Sequence, residues 1–123
     1  MSTTTRTGRP WAAAVQRGVA EALNARGAAA GCAPLAWSVG VPDDGWRRLG
    51  VPDGRLLLNG QVIAAHDYAA ARRVAERWAR ELGLVEQDEP ICEGTVEYRG
   101  GVDGIYVIVW AVVDGHTFGR SSS

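Results

Sequence analysis

The sequence contains no lysine: its thirteen basic residues are all arginine, against fourteen Asp and Glu, for a formal net charge of −1. A chain so nearly neutral has no long-range field, which excludes general electrostatic attraction to nucleic acid or to an anionic membrane. With abundant Ala and sixteen Gly, the missing lysine reads as the coding bias of a GC-rich genome and carries no functional meaning. Cysteine is nearly absent too. Cys32 and Cys92 stand far apart without a CxxC, so metal-site and redox spacings are both lacking. The expectation is two buried free thiols in a reducing compartment. No apolar run approaches the ~20 residues that span a bilayer. Met1 to Pro10 is polar, and the Ala-rich run after it is broken by Arg17 and Glu21, unlike a signal peptide. A cytoplasmic protein with no membrane association is therefore expected. Patterns that carry chemistry are equally scarce. There is no Gly-x-Ser-x-Gly elbow, and no glycine cluster sits between a strand and a helix as a phosphate loop requires.

What the sequence does contain is concentrated between Asp67 and Asp114. At about 100° per residue, Ala71, Val74, Ala75, Trp78, Ala79 and Leu82 fall on one side of a helix, and Arg72, Arg73, Glu76, Arg77, Arg80 and Glu81 on the other. Asp67 suits the N-cap, where a carboxylate accepts from a first-turn N–H. Gly83 suits the left-handed residue that ends a helix. The segment after it reads as a long β-hairpin. Asp103-Gly104 is a dipeptide favoured in a type I′ turn, whose two central residues need positive φ. Folding there sets Val102, Gly100, Tyr98 and Val96 opposite Ile105, Val107, Val109 and Ala111 on one apolar face. The other face pairs Gly101 with Tyr106, Arg99 with Ile108, Glu97 with Trp110 and Thr95 with Val112.

Before this unit, residues 1–9 read as a disordered tail, and a first helix runs from Pro10 to about Arg26, ended by Gly27. Its broad apolar face carries Trp11, Val15, Gly18, Val19, Ala22 and Leu23. Gly18 costs ~1 kcal/mol relative to Ala, which points to close approach of another backbone. Leu35 to Val41 alternates as a half-buried strand. Two Pro-Asp-Gly turns then bracket Trp46 and Leu49, read as a lid over the core edge. Arg55 to Leu58 is a short strand that Asn59-Gly60 interrupts, and Gln61 to Ala65 is a return strand or a connector. Leu84 to Pro90 is an acidic connector, and residues 115–123 form a flexible tail. The order is α-β-β-α-β-β in a single domain over 10–114. The expected fold is α+β: a two-layer sandwich, its four-stranded, mainly antiparallel sheet carrying two helices on one face.

The Trp78-Ala-Arg-Glu-Leu-Gly-Leu84 helix end and the Gly94-Thr-Val-Glu-Tyr…Asp103-Gly-Ile-Tyr-Val-Ile-Val-Trp110 hairpin resemble small uncharacterised proteins of actinobacteria and their phages, over about half of the chain. The resemblance implies no activity, cofactor or catalytic residue.

Three functional expectations follow. The leading one is a non-enzymatic protein-interaction module, a homodimer or the binder of another protein, using an uncovered sheet face. That face carries Tyr106, Ile108, Trp110 and Val112 beside Glu97 and Arg99, and contiguous apolar surface rich in Trp and Tyr commonly marks a protein contact; the alternative is that the loop with Trp46 covers it. The second is a nucleic-acid accessory protein using Arg72, Arg73, Arg77 and Arg80, although Glu76 and Glu81 interrupt that row, and nucleic acid is not the expected partner. The third is a small metal-dependent hydrolase around His66, Asp67 and Asp114. Its ligand set lacks a third strong member, and Asp43, Asp44 and Asp53 are explained by turn geometry. No catalytic residue, metal ligand or cofactor is assigned. Charge is uneven: Arg6, Arg9, Arg17 and Arg26 stand against Glu21 in the first 34 residues, and seven acidic residues against Arg99 between Glu86 and Asp114. Such asymmetry suits self-association or an intramolecular contact, and the plainer reading is a solvated surface with chance asymmetry.

Overall fold

The computed structural model describes the backbone of residues 2–40, 56–63, 65–90 and 92–115, and side chains within these from residue 13 onward. The elements are α1 (Ser2–Ala29), β1 (Leu35–Gly40), β2 (Leu57–Val62), α2 (Tyr68–Leu82), β3 (Val85–Glu86), β4 (Thr95–Val102) and β5 (Ile105–Val112). The turns around Trp46 and Leu49, Asp43, Asp44 and Asp53, and His116 with the last residues lie outside the described residues.

The class is α+β as expected, but the sheet has five strands in the order β1-β2-β5-β4-β3. Three pairings are antiparallel, and the central one, β2 with β5, is parallel. The extra strand lies in the acidic connector, where Val85 and Glu86 pair with Arg99 and Tyr98. Two residues are too few for an alternation to be visible in sequence.

The hairpin has the register that its turn dictates. All eight pairs, from Val102 with Ile105 to Thr95 with Val112, are those set by a turn at 103–104. Asp103 and Gly104 have φ of 51° and 81°. Helix α2 ends as its caps require: the Asp67 side chain accepts from Ala70 N at 2.7 Å, and Gly83 is left-handed with φ 72°.

The second strand departs from expectation. Asn59-Gly60 does not break it; β2 runs straight through. Gly60 serves close packing instead, because a Cβ there would lie 2.8 Å from the Trp37 ring and 2.9 Å from Leu35. The glycines of α1 exchange roles in the same way. Gly18 has nothing within 4 Å, whereas a Cβ on Gly27 would fall 2.2 Å from the Trp78 indole. Gly27 is thus where α1 crosses α2, and the helix continues to Ala29 before Gly31 turns left-handed at φ 82°. At its other end α1 begins at Ser2, ahead of Pro10; an interior proline forgoes its own N–H bond, to the residue four before it.

The core lies between the helices and one sheet face. Trp78 is fully buried, with Ala71, Ala75 and Ala79 beside it, over Val96, Tyr98, Val107, Val109 and Ala111. Trp37 meets Trp78 edge-on at 5.4 Å, an arrangement that aromatic quadrupoles favour. Both indoles satisfy their N–H groups: Trp78 Nε1 donates to Ala33 O at 2.7 Å, Trp37 Nε1 to Asn24 Oδ1 at 3.0 Å. Asn24 also pairs with the backbone of Leu35 in both directions, at 3.0 and 3.1 Å. It stands in for a neighbouring strand at the start of the β1 edge, and fastens α1 to the sheet.

Candidate protein-contact surfaces

The sheet face turned away from the helices gathers all six residues of the expected contact. Glu97 and Arg99 alternate along β4, opposite Trp110 and Ile108 of β5, with Tyr106 and Val112 at the two ends. Their alignment follows from the hairpin register. Their exposure does not match the expectation of an uncovered face. Ile108 is 2% exposed, Glu97 3% and Arg99 7%, while Tyr106, Trp110 and Val112 are half-buried. Ile108 and Leu57 form a small second core on this side, with Tyr106 and Trp110 packed against it.

The chemistry here is structural. Arg99 Nε donates to Glu97 Oε1 at 2.5 Å, both side chains buried. Trp110 Nε1 donates to Asn59 Oδ1 at 2.7 Å on the parallel neighbour strand. Beside it Ser38, Asn59, Gln61 and Trp110 border a shallow depression of about 220 Å³. Sequence reasoning took Glu97 and Arg99 as solvated. Opposite charges two apart on one strand, facing apolar partners, also describe a buried pair, and that was the available signal.

The arginines of α2 are exposed but do not act as one row. Arg77 donates to Ala30 O at 2.6 Å, bracing the chain between α1 and β1. Arg72 leans toward Glu86 at 3.9 Å. Arg73 and Arg77 border a depression of about 330 Å³ with His66. At the start of α2, His66 Nε2 lies 3.2 Å from Asp67 Oδ2. The Asp67 carboxyl is held below its usual range, first by the Ala70 N–H and then by the charges of His66 and Arg73. Among the described residues no three His, Cys, Asp or Glu side chains converge as a metal site.

Cys32 is buried, and burial pushes its thiol up. Cys92 is exposed, contrary to the expectation of two buried thiols, because it precedes β4 outside the core. The Tyr98 hydroxyl is buried beside Glu86, and burial first, then the nearby Glu86 and Glu76 charges, raise it to about 12.

A further surface lies on α1. In α1, residues Ala13 to Gly18 are all exposed, so the helix is uncovered on every side there. Only from Val19 onward does one side pack on the core, through Val19, Ala20 and Leu23. The opposite side, Ala14, Gly18, Ala22, Ala25 and Ala29, stays exposed along its length, with Val15 at 57%. Val15, Gly18 and Ala22, expected on one apolar face with Val19 and Leu23, are therefore exposed, and among the described residues only Val19 and Leu23 of that face meet the core.

Comparison with protein-family models, with curated proteins and with solved structures finds no match. Among the described residues no helix is long and apolar enough to cross a membrane.

Proposed function

We propose that this protein is a non-enzymatic interaction module that works by self-association. The observation that supports the reading is the exposure of α1 from Ala13 to Gly18 on every side. An isolated helix of this kind is marginal in water, and most helical stability comes from packing an apolar face. The buried Glu97, Arg99 and Ile108 cannot supply contact area to a partner, so the contact moves from the sheet to the helix. Light scattering of the full chain over a range of concentrations tests the reading. The expected result is a mass rising toward twice the 13.1 kDa of one chain. A mass of one chain throughout removes it.

A further inference from the structure

Helix α1 is docked through Val19, Leu23 and Gly27, and at about 100° per residue the positions half a turn away are Ala14, Gly18, Ala22, Ala25 and Ala29. Each of these is exposed. The outer face therefore carries no charge over about 22 Å of helix and presents nothing bulkier than a methyl group except Val15 at its border. Gly18 lies within this face with nothing inside 4 Å. A mid-helix glycine lowers helix stability, and no contact among the described residues gives it a use.

The face is complementary to itself. If a second α1 lies antiparallel with Gly18 against Ala22 of the other copy, Val15 falls against Ala25 and the smallest positions meet at the crossing. The same register brings Arg17, on one border of the face, beside Glu21 on the matching border of the other helix, and symmetry makes the pairing twice. Both side chains are exposed, and among the described residues neither makes an ion pair. Arg26 is on the other border, where the antiparallel arrangement separates it from its own copy. Each sheet lies on the far side of its own helix, so the two bodies do not collide.

We propose that α1 is the dimer contact: two copies of this chain pack their α1 helices antiparallel about a two-fold axis, Gly18 against Ala22, with Arg17 and Glu21 pairing across it. This rests on the self-association reading and specifies its surface. A closed two-fold contact of this type ends at two chains.

The test is sedimentation equilibrium of the wild type, Arg17→Glu, Glu21→Arg, the double exchange, and Ala25→Glu, from about 5 to about 500 μM, a range suited to a contact below the standard interface size. Circular dichroism confirms that each variant keeps its helix content. The wild type is expected to dimerise. Each single exchange turns two attractions into repulsions and weakens association by about tenfold; the double exchange restores it, and Ala25→Glu abolishes it. A wild-type dimer unaffected by Ala25→Glu or by the single exchanges overturns the α1 contact but leaves self-association standing. Loss in the single exchanges without rescue in the double overturns the register. A single-chain mass for the wild type at every concentration overturns both readings.

Discussion

Gly18 and Gly27 lie in one helix, and the same substitution should move stability in opposite directions at the two sites. Gly27→Ala adds a methyl whose carbon would lie 2.2 and 2.3 Å from two atoms of the Trp78 ring, where carbon atoms need ~3.5 Å. The indole cannot step aside. It is fully buried, its Nε1 is bound to Ala33 O, and its edge meets Trp37. The helix must move instead, by about an ångström, which loosens the Val19 and Leu23 contacts. Overpacking of this kind costs ~1–3 kcal/mol, with the upper part expected against a rigid ring. The better helix propensity of Ala returns ~1 kcal/mol. The net is a loss of ~1–2 kcal/mol. At Gly18 only propensity acts, because nothing lies within 4 Å, and Ala should stabilise by ~0.5–1 kcal/mol. Urea unfolding with an unchanged m value measures the difference. Both variants are made on the Ala25→Glu background, so that concentration-linked stability does not enter. A Gly27→Ala protein as stable as its parent would refute the crossing of α1 over Trp78.

Other outcomes follow from the same contacts. Arg99→Ala removes the buried guanidinium that donates to Glu97 Oε1, and the expected loss is ~3 kcal/mol by urea unfolding; a change under ~0.5 kcal/mol would mean an exposed pair. Asn24→Ala removes the bonds to Leu35 N, Leu35 O and Trp37 Nε1 and should cost ~1–2 kcal/mol, softened by water reaching the strand edge. Tyr98, raised to about 12 in the fold, keeps its proton longer folded than unfolded, where phenols titrate near ~10. Its contribution is complete below pH ~10 and is lost as pH rises through about 12. Tyr98→Phe should remove that alkaline loss while changing neutral-pH stability by no more than ~1 kcal/mol.

The parts legible in the sequence were those where one local signal had one solution. Asp103-Gly104 demanded positive φ at both positions, and that demand set all eight pairs of the hairpin. Asp67 and Gly83 bounded α2 because a cap and a left-handed stop leave little choice. What was misread depended on a neighbour distant in sequence. Asn59-Gly60 resembles a turn until Trp37 is seen lying over Gly60. Gly18 and Gly27 are indistinguishable until Trp78 is placed. The polar side of β4 looks solvated by alternation alone, yet Glu97 and Arg99 answer each other's charge in a buried site. The apolar face of α1 was drawn too broadly for the same reason: Gly18 and Ala22 flank Val19 and Leu23 on the helix, and only the sheet's position shows that they face outward.

The most direct measurement is intermolecular cross-linking of Gly18→Cys/Ala22→Cys in a chain whose exposed Cys92 is replaced by serine. Positions four apart on one helix are ~6 Å from each other at Cβ, too far for a bond that needs Cβ atoms ~4 Å apart, so only a second chain can close it. Mild oxidation should convert this variant to a reducible two-chain species on non-reducing gels, while Ala13→Cys/Gln16→Cys, turned off the face, should stay single. Equal cross-linking of both variants, or of neither, would contradict the proposed contact.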